Sequence, residues 1–358
     1  MSTVTWSVVS TDSPMGQQRY EGEIQKAMAA AGSQEWSFRL LRLAPLRSKG
    51  SGVRRYPARL AGRAPLPVAR AVGWAAYRTK GLVHRFDLRL PPSEGPEVVT
   101  VHDLPPLRFD DEGKIPTSAK AGARRASAII TPSRFAADEV LELLGVDAQR
   151  IHVVPYGVSG DYQEAVPATN TELKDFGIRP LFVVHAAGAS KRKNLSALAA
   201  AWAQVAAECP DVDLVLAGPK DERREEAFRA IPAVRIIGSL PGPGIASLMR
   251  RAAAVVVPST YEGFGLPALE GMMCGTPVVA ARCGALPEVC GDSAVLVQPD
   301  GEGIAEGLLA VLRDQLLADR LKVDGLARAA HFSWEQAAKA HLRIYRAVLD
   351  SGVNGRVC

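Results

Sequence analysis

The stretch of sequence that decides the fold is VVVPSTYEGFGLPALEGMMCGTPVVAA, residues 255–281. It starts as an apolar strand, passes through a loop that contains Gly263 and Gly265, and enters a helix near Leu266. Pro267 suits the first turn of a helix, where its missing N–H costs nothing. Glycines before a helix start, with its free N–H groups and positive dipole end, are typical of a phosphate site.

Two carboxylates, Glu262 and Glu270, bracket this helix start eight residues apart. A phosphate would repel them, so we expect them to act on sugar or ribose hydroxyls or on a developing cation. With these residues the chain resembles the retaining GT-B glycosyltransferases of family 4, whose hallmark is an E-x7-E motif in EGFGLPxLEAMxCGTPVVA. Gly271 stands where that family usually has alanine.

Around this stretch, short β-branched runs alternate with segments of helix length. The runs are VTWSVVS (4–10), WSFRLLRL (36–43), EVVTVHD (97–103), ASAIITPS (126–133), IHVVPYGV (151–158), LFVVHAAG (181–188), DLVLAG (213–218), VRIIGSL (234–240), AAVVVPS (253–259), PVVAAR (277–282) and AVLVQP (294–299). This pattern predicts parallel sheets with helices on both faces. We predict an α/β protein of the GT-B type, with two doubly wound Rossmann-like domains facing across a cleft.

The domain boundaries follow from the same pattern. Residues 1–165 are predicted as an acceptor-binding domain and residues 175–332 as a nucleotide-sugar-binding domain, with the polar segment 159–180 as the linker. A last helix over residues 333–350 begins with SWEQ, a capping box. We expect this helix to pack back towards the N-terminal domain.

The resemblance assigns roles in the second half. GASKRKNLSALAAAW (188–202) is similar to the family's phosphate-binding lysine segment, which implies that Lys193 and Arg192 contact the donor diphosphate. Glu262 would lie near the transferred sugar, and Glu270 would hold the ribose. The expected donor-binding residues also include those of the loop and helix start: Gly263, Phe264, Gly265 and Leu266.

The resemblance also covers parts of the first half. SPMGQQRYEGEIQKAM (13–28) is similar to the glycine loop after the first strand, which implies that Gly16 approaches the donor while Arg19 and Tyr20 orient the acceptor. VVTVHDLPPLRF (98–109) is similar to the family's T-x-H-D-L stretch, which implies a catalytic role for His102 near the donor sugar. A histidine at a strand end is well placed for that role, although a lone histidine is more often structural.

The charge of the chain is concentrated in one segment. Residues 36–86 carry twelve basic and no acidic side chains, whereas the net charge of the whole chain is only +5. Such a segment favours an anionic membrane surface or another anionic acceptor, since each basic residue near anionic lipid contributes roughly 1 kcal/mol. A solvated basic face is the alternative, and we do not expect nucleic acid as a partner.

The resemblance implies transfer of a hexose from a nucleoside diphosphate sugar to an acceptor hydroxyl with retention of configuration. We expect GDP-mannose as the donor, or else a UDP-hexose, a lipid-linked or cell-envelope glycan as the acceptor, and neither metal nor cofactor. Two alternatives remain: a nucleotide-sugar epimerase, and a non-catalytic protein that binds nucleotide sugars. A nicotinamide-dependent dehydrogenase is disfavoured because no GxGxxG follows the first strand.

Composition bears on location. No apolar run approaches the ~20 residues that a membrane-spanning helix needs, and the first residues lack the pattern of a secretory signal. The five cysteines are odd in number, contain no CxxC pair, and suit a reducing compartment. We expect a cytoplasmic protein that lies peripherally on the inner face of the membrane.

Overall fold

The computed structural model describes residues 2–10, 16–32, 35–48 and 52–354, with side chains up to Ser351. Residues 13–15 of the predicted glycine loop, residues 49–51 of the basic segment, and Cys358 lie outside the described residues. The chain forms two compact units. Unit 1 is Met1–Gly157 together with Ser333–Cys358, and unit 2 is Val158–Phe332.

Unit 1 contains a parallel sheet of seven strands in the order β3-β2-β1-β4-β5-β6-β7. The strands are β1 (Ser2–Val9), β2 (Trp36–Pro45), β3 (Arg54–Tyr56), β4 (Leu82–Arg85), β5 (Glu97–Thr100), β6 (Ala128–Thr131) and β7 (Ile151–Val153). The helices are α1 (Gly16–Gly32), α2 (Ala58–Arg63), α3 (Leu66–Tyr77), α4 (Thr117–Arg125), α5 (Arg134–Glu139) and the last helix of the chain, α15 (Trp334–Asn354).

Unit 2 contains a parallel sheet of six strands in the order β10-β9-β8-β11-β12-β13. The strands are β8 (Phe182–Ala186), β9 (Asp213–Ala217), β10 (Val234–Gly238), β11 (Ala254–Val257), β12 (Val278–Ala281) and β13 (Val295–Val297). The helices are α6 (Gly160–Gln163), α7 (Asn170–Asp175), α8 (Leu195–Glu208), α9 (Glu222–Phe228), α10 (Gly242–Arg251), α11 (Leu266–Met273), α12 (Leu286–Cys290), α13 (Gly301–Arg313) and α14 (Gln315–Ala329).

Both sheets confirm the predicted pair of doubly wound α/β domains. In unit 2 the core is continuous from the strands to the helices that cover them, with Trp202 of α8 and Leu308 of α13 completely buried. Strands such as β11 and β12 are buried on both faces, which explains why they read as unbroken apolar runs.

The segment predicted as a linker is instead part of unit 2. It forms α6 and α7, and the buried side chains of Tyr162 and Leu173 attach these helices to the unit. Thr169 and Glu172 form a reciprocal capping box at the start of α7, which stabilises this short helix. The units divide between Gly157 and Val158 rather than within the polar stretch.

Two strands of unit 1 escape the sequence pattern. β3 and β4 lie inside the basic segment, and β4 is the central strand that pairs with both β1 and β5. Its sequence LVHR contains only two apolar residues, but all four side chains are buried. Arg85 is tolerated there because its guanidinium group forms a bidentate salt bridge with Glu97, at 3.0 and 3.2 Å.

Candidate active site

The predicted donor residues of unit 2 converge at the switch point of its sheet. The chain leaves β8 and β11, the two neighbouring central strands, towards opposite sides, and ligands bind outside the carboxyl ends of such strands. A turn of 3-10 helix after β8, Lys191–Lys193, carries Arg192 and Lys193. Glu262 lies in the loop between β11 and α11.

Glu262 and the two cations form one compact ionic cluster. The Nζ atom of Lys193 lies 2.6 Å from Oε1 of Glu262, and Nη1 of Arg192 lies 3.4 Å from Oε2. Lys193 and Glu262 are both buried. Burial alone would raise the pKa of Glu262, but the charges of Lys193 and Arg192 outweigh that effect and lower the pKa below its usual value. Glu262 is therefore ionised at neutral pH, and two cations face one carboxylate.

Asn194 is a positioning residue that the sequence reasoning did not single out. Its side-chain amide donates hydrogen bonds to the carbonyls of Pro258, at 3.0 Å, and Pro299, at 2.8 Å. Its backbone is left-handed, with φ 56°, a conformation that asparagine tolerates better than most residues. Asn194 thus ties the turn that carries Lys193 to the end of β11. The RKN triplet contained the signal, since asparagine is enriched at such backbone positions.

The start of α11 lies directly after this cluster. Gly265 precedes the helix with φ 99°, and a Cβ atom there would come within 2.7 Å of Leu286. Gly265 is the N-cap residue and makes no side-chain cap hydrogen bond to the first N–H groups of the helix. Phe264 packs edge-on against Phe332, with ring centroids 5.7 Å apart, so its ring belongs to the core. A diphosphate at this helix start would therefore contact the backbone at Gly265 rather than the ring of Phe264.

The remaining predicted donor residues lie in the same loop and helix. Gly263 and Glu270 are buried, and Leu266 is half-buried. Gly284, which the sequence reasoning missed, allows the loop to fold closely: a Cβ atom there would lie 2.7 Å from the carbonyl oxygen of Glu262. That carbonyl also accepts a hydrogen bond from the backbone N–H of Ala285, at 2.9 Å. The backbone of Glu262 is thus fixed from two sides.

Gly271, the departure from the family pattern, sits in a tight space. An added Cβ atom would lie 2.9 Å from a methyl group of Val255 and 3.2 Å from one of Val278. Both neighbours are β-branched strand residues that cannot easily move aside. The glycine therefore allows α11 to pack closely on the sheet of this chain.

In unit 1, His102 follows β5 at the carboxyl edge of the sheet and is partly exposed. Its Nε2 atom lies 3.2 Å from the carbonyl oxygen of Phe86, and its Nδ1 atom is hydrogen-bonded to the hydroxyl of Tyr156. Because a carbonyl can only accept, Nε2 carries the hydrogen and Nδ1 accepts from Tyr156. Burial lowers the pKa of His102 to about 4, so the ring is neutral at pH 7. Both ring nitrogens are engaged in this structure.

Tyr20 is not available to an acceptor, which corrects the expected role of this residue. Its side chain is 1% exposed, and its hydroxyl lies 3.0 Å from Nε2 of His341 on α15. The Nδ1 atom of His341 donates to the Ala337 carbonyl at 2.8 Å, so Nε2 accepts the hydrogen of Tyr20. The residue is part of the contact between α1 and α15.

A second set of contacts fastens α15 to the sheet. The indole N–H of Trp6 donates to the hydroxyl of Tyr345, at 3.2 Å, and that hydroxyl in turn donates to Nδ1 of His84. The Nε2 atom of His84 then donates to the hydroxyl of Thr100, at 2.8 Å. Burial lowers the pKa of His84 well below its usual value, so this histidine is neutral as well.

Gly16 and Arg19 lie exposed on the first turn of α1, and nothing crowds the space where a Cβ atom of Gly16 would be. Next to them lies a polar cluster that the sequence reasoning missed. The Gln17 amide contacts Glu21 at 3.1 Å and Asp87 at 3.0 Å, and both carboxyl groups are buried.

This polar cluster contains two carboxyl groups in different states. Burial, together with the charge of Asp87, raises the pKa of Glu21 to about 7. Burial alone would raise the pKa of Asp87 too, but hydrogen bonds and charge from Arg89 lower it. Only one feature of the sequence could have indicated this cluster: Gln17 and Glu21 follow β1, and Asp87 follows β4. These are the two strands at the switch point of the sheet, where ligands bind.

Within the described ranges, no group of three or more histidine, cysteine, aspartate or glutamate side chains is arranged to hold a metal ion. None of the helices in those ranges is both long and apolar enough to cross a membrane. Cys209, Cys274, Cys283 and Cys290 are free thiols.

Comparison with known proteins agrees with this geometry. The model of the family "Glycosyl transferases group 1" matches residues 179–314, and that of "Glycosyltransferase Family 4" matches residues 55–162. The D-inositol 3-phosphate glycosyltransferase 1 of Catenulispora acidiphila is 30% identical over 316 residues, which are 80% of this chain and 73% of that protein.

A second relative is the O-antigen chain mannosyltransferase B of Escherichia coli, which is 30% identical over 231 residues. The match covers 62% of this chain and 61% of the relative, so it spans less than two thirds of the relative's own length.

Solved structures show the same fold. Sucrose-phosphate synthase from Thermosynechococcus elongatus superposes with a TM-score of 0.76 at 23% identity, covering 98% of this chain and all of that one. Anabaena HepE in complex with UDP-glucose superposes with a TM-score of 0.71 at 18% identity, covering 98% and 99%. The two Rossmann-like units and these matches define a glycosyltransferase of the GT-B type. The chain belongs to the family 4 glycosyltransferases, also described as glycosyl transferases group 1.

Proposed function

We propose that this glycosyltransferase moves a hexose, with mannose as the first candidate, from a nucleoside diphosphate sugar to a hydroxyl of a lipid-linked or cell-envelope glycan, and retains the anomeric configuration. The observation that carries the proposal is the buried cluster of Lys193, Arg192 and Glu262 beside the start of α11.

The cluster suits a leaving diphosphate. Lys193 and Arg192 are held in place before any ligand arrives, and positive groups fixed where charge develops usually contribute more to catalysis than any other single effect. The first N–H groups of α11 add a partial positive charge. Glu262, ionised and hydrogen-bonded to Lys193, would exchange the contact of its second oxygen with Arg192 for a hydrogen bond from a sugar hydroxyl. We assign the ribose hydroxyls to Glu270.

Retention does not require a nucleophile from the protein. The leaving diphosphate can guide the acceptor hydroxyl to attack from the same face, so the protein needs only to stabilise the diphosphate and to position the sugar. His102 would contribute a hydrogen bond from Nε2 to a sugar hydroxyl, in exchange for its bond to the Phe86 carbonyl. Gly16 and Arg19 would contact substrate at the exposed start of α1.

The relatives support the choice of sugar and acceptor. The E. coli relative is named as a mannosyltransferase of an O-antigen chain, which favours GDP-mannose and a cell-envelope glycan. The Catenulispora relative is named for inositol 3-phosphate, an anionic acceptor. The acid-free segment 36–86 would attract such an acceptor, or an anionic membrane that carries it. We therefore place the protein at the cytoplasmic face of the membrane.

A donor screen tests the proposal. GDP-mannose is expected to stabilise the protein by about 2.7 kcal/mol at a hundredfold excess over its Kd, and UDP- or ADP-sugars at the same concentration should stabilise it less. NMR of the glycoside product should show the same anomeric configuration as the donor. The proposal is overturned if no nucleotide sugar binds. If the protein instead releases an epimerised nucleotide sugar, its activity is that of an epimerase and not of a transferase.

We further expect transfer to proceed without a metal ion, because Lys193 and Arg192 supply positive charge at the diphosphate. Turnover should change less than about twofold after dialysis against EDTA. A tenfold loss would correspond to an increase of ~1.4 kcal/mol in the activation free energy. A larger loss that Mg²⁺ or Mn²⁺ restores would contradict the metal-free site.

A further inference from the structure

We infer that the outer face of α3 is a docking surface for an anionic phospholipid bilayer. This surface, called the Trp74 surface below, consists of residues with outward side chains on α3 and at its end: Val68, Ala71, Trp74, Ala75, Arg78 and Lys80. The inference gives the proposed membrane location a defined surface, and its test does not depend on sugar transfer.

The helix is apolar on the side where water is expected. Val68, Ala71, Trp74 and Ala75 are spaced three or four residues apart or adjacent, so they share one face, and all four are exposed. The indole of Trp74 is 51% exposed and Val68 is 43% exposed. The opposite face is buried through small residues and Tyr77. A helix that is apolar on both faces suits an environment other than water.

Cations surround the last turn of this helix. Arg54 donates to the carbonyl of Ala76 at 2.5 Å, and Arg39 contacts the carbonyl of Tyr77 at 3.4 Å. Arg78 ends the helix in a left-handed conformation, and Lys80 follows it. Burial and the nearby charges of Arg39 and Arg78 lower the pKa of Arg54 below its usual value.

No carboxylate within the described residues pairs with these four cations, and the segment that contains them has no acidic residue. Trp74, Ala75, Arg78, Thr79 and Lys80 line a shallow pocket of about 500 Å³. An apolar floor with a tryptophan and a cationic rim matches the boundary between acyl chains and phosphate headgroups. Tryptophan is enriched at that depth, and lysine and arginine bind the anionic headgroups.

The position of the surface separates it from the candidate active site. Lys80 lies directly before β4, at the amino edge of the sheet, whereas Gly16, Asp87 and His102 follow strands at the carboxyl edge. A bilayer is favoured over nucleic acid because a phosphate backbone would leave Val68 and Trp74 without an apolar partner. Helices with an apolar face and basic flanks bind in the plane of such an interface.

Intrinsic fluorescence provides a direct test, because Trp74 alone of the five tryptophans is exposed: Trp6, Trp36 and Trp202 are buried and Trp334 is half-buried. Vesicles of mixed phosphatidylglycerol and phosphatidylcholine should shift the emission to the blue, and brominated acyl chains should quench it. Vesicles of phosphatidylcholine alone should do neither. Trp74→Phe should bind in a sedimentation assay but lose the fluorescence change.

Two variants with matched controls decide the outcome. Trp74→Ser should reduce vesicle binding, whereas Leu316→Ser, which removes an exposed leucine from unit 2, should not. Arg78→Glu/Lys80→Glu should lower the apparent affinity by more than about tenfold. The control Lys114→Glu/Lys120→Glu changes the net charge equally on exposed positions of unit 1. Thermal unfolding of each variant with and without GDP-mannose checks that the units remain folded.

Several results would overturn the inference. The inference fails if the protein binds neutral and anionic vesicles equally well. It also fails if Trp74→Ser or the Arg78/Lys80 variant binds anionic vesicles as well as the wild type, or if the control variants lose as much binding as these two. Complete displacement by millimolar inorganic phosphate would show a site for small anions only. If nucleotide sugars fail to bind while vesicle binding follows these expectations, the proposed function fails and the docking surface stands.

Discussion

Lys193 lies buried in unit 2 with its ammonium group 2.6 Å from a carboxylate oxygen of Glu262. Lys193→Ala is expected to lower kcat by about two to three orders of magnitude, the usual cost of removing one fixed group that stabilises developing charge. It should also reduce the free energy of unfolding by at most about 3 kcal/mol, because Glu262 loses one of its two cationic partners. Steady-state kinetics and urea unfolding measure the two effects.

Lys191→Ala is the control for that change, since Lys191 lies on the same turn but is exposed. It removes the same charge from an exposed position, and kcat should stay within about threefold of the wild type because exposed charges interact weakly. A Lys193→Ala enzyme with a nearly normal kcat would refute the proposed role of Lys193.

Asn194 supports a second prediction, because it combines a left-handed backbone with two side-chain hydrogen bonds. Asn194→Gly keeps the backbone freedom and loses only the hydrogen bonds, whereas Asn194→Ala loses both. The alanine variant should therefore unfold about 1 kcal/mol more easily than the glycine variant. Both should show a lower kcat, because the turn that carries Lys193 loosens. Equal stability of the two variants in urea would contradict this account of the backbone.

Single residues also show the limits of sequence reasoning. The positions of Lys193 and Glu262, each in a loop after a central strand, could be predicted because each lies in a local motif whose neighbours fix the loop. Tyr20 could not, because the helix that buries it comes more than 300 residues later in the chain. A local pattern shows that α1 has two faces, but it does not show what covers each face.

At the scale of elements, the loop between β11 and α11 depends on a glycine in the segment after β12. Gly284 and Gly177 both have a positive φ, of 57° and 65°. Only at Gly284 would a Cβ atom press on the backbone of Glu262, whereas nothing lies within 4 Å of such an atom at Gly177. Gly284→Ala and Gly177→Ala therefore both incur the penalty of a positive φ, about 1–2 kcal/mol.

We expect Gly284→Ala to lose more than tenfold in kcat/KM for the donor, and Gly177→Ala to lose less than about twofold. The reason is that displacement of Glu262 also displaces its contact with Lys193. The measurement is kcat/KM for the donor in each purified variant, compared at equal concentrations of folded protein. A parallel loss in both would mean that the backbone strain matters and the contact with Glu262 does not.

Elements differ in how well the sequence predicts them. The strands of unit 2 are apolar on both faces and stand out, whereas β4 is hidden because His84 and Arg85 interrupt its apolar run. These two residues are stable in the core only because Tyr345, Thr100 and Glu97 supply hydrogen bonds. Such compensation depends on the tertiary structure, so a one-dimensional pattern cannot reveal it.

At the scale of the whole molecule, the last helix is the element that joins distant parts of the chain. α15 follows unit 2 in sequence but belongs to unit 1, where His341 and Tyr345 bond to α1, β1 and β4. In its neutral form His341 donates from Nδ1 to the Ala337 carbonyl and accepts from Tyr20 at Nε2, and a proton on Nε2 would prevent it from accepting. Burial lowers the pKa of His341 to about 4. Attachment of α15 should therefore depend on pH.

The sign follows from proton binding. Between about pH 6.5 and pH 4, a histidine in the unfolded chain is protonated whereas His341 in the folded protein remains neutral. The unfolded state therefore binds more protons in this range, and lowering the pH favours unfolding. Glu21 acts in the opposite sense, because its raised pKa makes the folded state hold a proton between about pH 4.5 and 7. A comparison of the wild type with His341→Gln removes the contributions of Glu21 and of the other histidines.

Urea unfolding of both chains between pH 7 and 5 tests this coupling. At pH 7 the glutamine variant should be less stable, because it loses hydrogen bonds between α1 and α15. That deficit should shrink by about 1.4 kcal/mol for each pH unit below 6.5, since only the wild type must keep His341 neutral in order to stay folded. A deficit independent of pH would mean that His341 remains free to ionise in the folded protein, and that the hydrogen bond from Tyr20 does not hold α15 in place.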